Sequence, residues 1–156
     1  MGTEGNQQKF LSHMKKQITL LTVLAMFFAL NSTATVWRVN NNPGVDADFN
    51  NLQTAINDAA VQAFDTLYVE GSSTSYGDID IDKPLVLIGT GYFLNENDTT
   101  QANKFPSKIT TVDFNNGSAG SVLKGFSFIE ETQAFVKIYA NNITFSRNYI
   151  RVLETR

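Results

Sequence analysis

Hydrophobic positions change their spacing several times along this chain, and each change predicts a different element. Met14-Lys15-Lys16 leads into an apolar run from Ile18 to Leu30, which Asn31-Ser32-Thr33-Ala34 closes. A short positive segment, an apolar stretch and small residues at the third and first positions before a cut have the build of a secretory signal. Cleavage is expected between Ala34 and Thr35. The plainer reading is a buried core helix, and the run is short for a membrane span, which needs about 20 apolar residues. Beyond it, Val36-Trp37-Arg38-Val39 reads as a strand ended by Asn40-Asn41-Asn42-Pro43-Gly44. Phe49, Leu52, Ile56, Ala59 and Ala63 then recur at three- and four-residue steps. That spacing predicts an amphipathic helix of about four turns, with Asp48 as its N-cap.

From Asp65 the period becomes strand-like. Thr66 to Gly71 is a first strand, and Asp78-Ile79-Asp80-Ile81-Asp82 alternates strictly, with Ile79 and Ile81 on one face and three Asp on the other. Leu85 to Gly89 is nearly all apolar, as expected of a strand covered on both faces. Asn95 to Lys104 reads as a loop, and strands resume at Lys108 to Phe114, Ser121 to Ile129, Ala134 to Tyr139 and Asn142 to Ile150. Ser121 to Phe128 overlays Ile143 to Ile150 at an offset of roughly 22 residues, setting Leu123 on Phe145, Phe126 on Asn148 and Phe128 on Ile150. Leu85 to Gly89 fits the same slot earlier if the Asn95 to Lys104 loop is an insertion. Such units cannot bury an apolar face alone, so stacked parallel strands are expected.

The helix Phe49 to Ile56, then Asp65 to Val69, Lys83 to Gly89, Gly120 to Phe128 and Asn141 to Asn148, follow an order that resembles the N-terminal portion of secreted bacterial proteins of the pectate-lyase-like superfamily. The resemblance implies an all-β fold, a right-handed parallel β-helix of about three coils. An N-terminal capping α-helix would close one end, and a helical signal peptide would precede it. Residues 1–13 read as a non-native or mis-started extension, 14–34 as the signal peptide, and 35–156 as cap and first coils. Ending in mid-repeat at Leu153-Glu154-Thr155-Arg156, the last segment reads as the start of a longer protein, the alternative being a short protein that closes that end by dimerising.

Composition narrows the chemistry. A net charge of −3 and pI near 5.0 give no broad basic field, so nucleic acid is not an expected partner. The chain has no Cys and one His, His13, which falls before the signal, so zinc sites and His-based triads lack their residues. Asp78, Asp80 and Asp82 are the candidate Ca²⁺ ligands, although the same alternation describes a solvated outer face. No other cofactor is expected. The resemblance implies a catalytic base or anion clamp, for which Lys124, Lys137, Arg147 and Arg151 are the available cations, with a solubilising role as the alternative. Trp37, Tyr76 and Tyr92 are candidates for stacking on sugar rings, against core packing as the plainer role. Expectation is thus of a secreted, cell-surface or periplasmic module without a membrane span after signal removal. It would have a structural or polysaccharide-binding role and no complete catalytic site in this chain. The alternative is the leading part of a polysaccharide lyase or hydrolase whose catalytic residues lie downstream.

Overall fold

A computed structural model describes residues 9, 11, 13–19, 34–96, 99, 103–130 and 135–152. Met1–Thr33 and Ala34–Arg156 form two compact units. In the first, residues 13–19 are helical and exposed, and the remainder of the apolar run lies outside the described residues. Among the described residues no helix is long and apolar enough to cross a membrane.

The second unit carries its own hydrophobic core, since the buried apolar residues run from Val39 to Phe128. Its elements are β1 (Val36–Val39), α1 (Leu52–Asn57), β2 (Thr66–Val69), β3 (Ile79–Ile81), β4 (Val86–Gly89), β5 (Ser107–Lys108), β6 (Thr111–Phe114), β7 (Val122–Lys124), β8 (Phe126–Glu130), β9 (Phe135–Ile138), β10 (Thr144–Ser146) and β11 (Tyr149–Val152). Single 3₁₀ turns occupy Leu94–Glu96 and Asn116–Ser118. Named strand pairs are all parallel, in three sheets ordered β1-β2-β4-β7-β10, β11-β8-β5 and β3-β6-β9.

Register follows the overlay read from the sequence. Leu123 pairs with Phe145 and Phe128 with Ile150, and Leu87 takes the earlier slot opposite Leu123. Trp37, Leu67, Leu87, Leu123 and Phe145 therefore form one inward row, with Leu67, Leu87 and Leu123 fully buried. Each buried Leu withdraws from water apolar surface equivalent to about 1.5–3 kcal/mol, so this row is a main stabilising feature of the unit.

The all-β, right-handed parallel β-helix of about three coils is corrected. The described residues are mixed, with helices as well as strands, and the strands form three separate small parallel sheets without closing into one solenoid. Unequal spacing is the physical reason. Successive rungs of the five-stranded sheet are 30, 20, 36 and 22 residues apart, so no uniform repeat runs through the unit. The helix is also shorter than its sequence pattern. Asn51, not Asp48, caps α1, its side chain accepting from Thr54 N at 2.9 Å, while Asp48 accepts from Arg38 N at 2.7 Å. At the other end Asp58 is extended, and its carboxylate binds Ala60 N at 2.8 Å, a local bond that competes with helix continuation. Ala59 and Ala63 are consequently exposed, whereas Leu52, Ala55 and Ile56 are buried.

α1 has a second task. The Gln53 side chain accepts from Asp80 N at 2.7 Å and donates to Asp80 O at 3.1 Å, covering the free edge of β3 much as a neighbouring strand would. The outer edge of β1 is covered similarly by Phe49, through Asn40 N to Phe49 O and Phe49 N to Arg38 O. At the opposite side of the sheets, Ile138 and Ile150 are 51% and 47% exposed, although their partners Phe114 and Phe128 are fully buried.

Corners demand small residues where two turns meet. A Cβ on Gly125 would lie 2.6 Å from Gly89 O, and its φ of 79° lies in the left-handed region that disfavours side chains. Gly77 has the same φ but open space around it. Gly125→Ala is therefore expected to cost about 2–4 kcal/mol and Gly77→Ala about 1 kcal/mol in urea unfolding; equal costs would contradict the close approach.

Candidate functional site

Three short elements converge on one outward corner. After β4 the chain passes Gly91 (φ 96°), whose N–H donates to Gly125 O at 2.8 Å, and Thr90, whose N–H donates to Ser107 Oγ at 2.9 Å. These bonds fix the corner that projects Tyr92 and Phe93. Tyr149, which opens β11, meets both: its ring is stacked with Tyr92 at 5.7 Å and 28°, and edge-on to Phe93 at 4.9 Å. Tyr92 and Phe93 are 37% and 50% exposed, so three aromatic rings form a ledge open to solvent.

The ledge separates two clefts. One, of about 490 Å³, is lined by Tyr92, Ile88, Gly91, Lys124 and Arg147 among others. The second, of about 280 Å³, is lined by Tyr92, Phe93, Tyr149, Glu96, Ser127 and Arg151 among others. Lys124, Arg147 and Arg151 make no ion pair among the described residues. Ser127 is 1% exposed, and among the described residues its Oγ has no hydrogen-bond partner. A buried hydroxyl in that state is uncommon, since it forgoes the bond that offsets its burial. Of the four described non-glycine residues in the left-handed region, two stand here, Phe93 (φ 56°) and Arg147 (φ 53°), the others being Phe64 and Asn142. For a bulky residue that conformation costs about 1 kcal/mol or more, and held strain clusters at binding sites.

Of the candidates read from sequence, Tyr92 belongs to this ledge, and Lys124, Arg147 and Arg151 border its clefts. The others lie elsewhere. Tyr76 is 6% exposed, with its hydroxyl donating to Glu70 O at 2.9 Å, which leaves no ring face for a sugar. Burial pushes its phenol up to about 12, the Glu70 charge adding and the Asn41 N–H opposing. Trp37 is half-buried, edge-on to Phe49 at 5.7 Å, with its indole N–H on Asp65 at 2.9 Å. Lys137 pairs with Asp113 at 2.9 Å. Phe93 and Ser127 carry no signal of their own in the sequence, and Tyr149 is only one of several scattered tyrosines there. A Gly-flanked Tyr-Phe pair between two strands was the available signal for Phe93, whereas Tyr149 required the register of β11.

Asp78, Asp80 and Asp82 each engage a different neighbour. Asp78 accepts from Thr111 Oγ1 at 2.9 Å and Asp82 from Asn115 Nδ2 at 2.8 Å, while Asp80 faces Asp113 across the sheet. Alternate positions on a strand lie about 6.6 Å apart, too far for three carboxylates to share one ion. Among the described residues no group of three or more acidic, His or Cys side chains could hold a metal. No protein-family model, curated protein or solved structure matches this chain. The resemblance to the pectate-lyase-like superfamily thus rests on the quoted residues alone.

Millimolar Ca²⁺ is expected to leave the melting temperature unchanged. A rise of more than about 2 °C would indicate that the Asp78–Asp82 face binds the ion after all.

Proposed function

We propose that the protein is an exported glycan-binding module that holds an acidic saccharide on the ledge of Tyr92, Phe93 and Tyr149. The observation that carries this reading is the solvent-open aromatic group between two clefts bordered by Lys124, Arg147 and Arg151. Sugar rings present apolar C–H faces that can pack on the apolar faces of exposed aromatic rings. Cations beside the rings favour carboxylate- or sulfate-bearing saccharides over neutral ones. The strain at Phe93 and Arg147 supports a binding role too, because glycine would relieve it without the ring or charge. Export rests on the pattern Met14 to Ala34.

Calorimetric titration with oligogalacturonate, a sulfated glucan oligomer and neutral dextran tests the reading. Binding to at least one acidic ligand is expected, weakening with added salt, and little or none to dextran. Tyr92→Ala should weaken binding by about 5- to 10-fold. Arg147→Gly should lower affinity while leaving urea stability unchanged or raised by up to about 1 kcal/mol. No binding to any saccharide, or variants that bind as the parent does, would overturn the proposal.

A further inference from the structure

Asp65 is 2% exposed, yet among the described residues it has no ion-pair partner. Carboxylates are rarely buried so completely unless a charge accompanies them. Its Oδ2 accepts from Trp37 Nε1 and Gln62 N, both at 2.9 Å. Its Oδ1 accepts one bond, from the backbone N–H of Thr35 at 2.7 Å. Lys83 is the charged group facing it, but the Lys83 ammonium donates to the carbonyls of Asp58 and Val61. Burial pushes the Asp65 carboxyl upward, and the three hydrogen bonds with the Lys83 charge outweigh this and hold it below the usual range. Thr35 is fixed on both sides, since its carbonyl accepts from Thr66 N at 2.8 Å. Thr35 is also the residue after the expected signal cut, one position from the boundary between Thr33 and Ala34 that separates the two units. Both Ala34 and Thr35 are exposed.

We propose that hydrolysis of the Ala34–Thr35 peptide bond creates an N-terminal ammonium on Thr35 that docks on the buried carboxylate of Asp65, so that maturation locks β1 onto β2. The inference rests on the export reading. A signal-peptidase-type enzyme, which favours small residues such as Ser32 and Ala34, would add water across the amide. The hydroxyl goes to the Ala34 carbonyl carbon and the proton to the Thr35 nitrogen, and the new acid then passes its proton to the amine, leaving a carboxylate on Ala34 and an ammonium on Thr35. The donor at Oδ1 stays in place and gains a full positive charge, so a bond in which only the acceptor is ionised becomes an ion pair. With the ammonium pKa raised in the folded state, its contribution is complete below about pH 8 and lost as pH rises through the folded value. With the Asp65 pKa lowered, the carboxylate's contribution is present above about pH 4 and lost as pH falls.

The full chain is expressed in a secreting host and the N-terminus of the exported product read by mass spectrometry. Melting temperatures are then compared between the protein beginning at Thr35 and the same protein beginning one residue earlier, at pH 6 and pH 10. The Thr35 form is expected to melt about 5 °C higher at pH 6, with the gap closing at pH 10. Asp65→Asn in both forms should abolish the gap, and if that variant does not fold, the pH dependence of the parent pair decides alone. Retention of the uncut chain would overturn the export reading. Export with a cut elsewhere would overturn the processing site alone. A cut at Thr35 with no gap at pH 6, or a gap indifferent to pH, would overturn the lock.

Discussion

Every few residues the second unit leaves one sheet for another, and the backbone groups at these corners have to be hydrogen-bonded away from water. Buried and half-buried side chains do this. Asp65 takes the N–H groups of Thr35 and Gln62 with the Trp37 indole, and Ser121 Oγ takes Leu85 N at 3.0 Å. Ser107 Oγ bridges Thr90 N to Val69 O, and Asn148 bridges Phe126 N to Leu123 O. An unmet buried N–H or C=O costs about 1–3 kcal/mol, so a few failures would consume much of the stability of a domain this size. Strands of two to five residues can exist here because their ends are satisfied in this way.

The same device couples the core to the surface. Ser107 fixes Thr90, and Thr90 leads through Gly91 to Tyr92 and Phe93, so the aromatic ledge stands on a corner tied into the interior. Arg147 occupies the position opposite Gly125, where Gly125 N donates to Arg147 O at 3.1 Å. Glycine suits that left-handed slot in one rung, and arginine fills it in the next, which places a cation beside the ledge at a cost in backbone strain. Asn148, one residue later, holds the turn that makes this conformation tolerable.

Much of the strand order was legible because inward positions alternate with outward ones. Ile79 and Ile81, and the pairs Leu123 with Phe145 and Phe128 with Ile150, follow from period and offset. The global form was not, because unequal intervals of 30, 20, 36 and 22 residues leave short sheets where a uniform repeat was expected. Helix length was overread because Ala59 and Ala63 keep the apolar spacing beyond the point where Asp58 ends the helix. At the site, Tyr92 and the cations were visible as residue types, but the meeting of Tyr92 with Tyr149 is a product of register and lies beyond any local pattern. Asp65 was noted only as the start of a strand, since nothing local marks a carboxylate that collects donors from Thr35 and Trp37.

Asp65 is also where the claim that buried polar side chains hold the corners is most exposed to test. The proton on Trp37 Nε1 can be followed by NMR through an acid titration and by hydrogen exchange. Exchange is expected only through global unfolding, with a shift that titrates below the ordinary Asp value of about 3.9. An indole proton exchanging as freely as one in solvent, or titrating at or above that value, would contradict it.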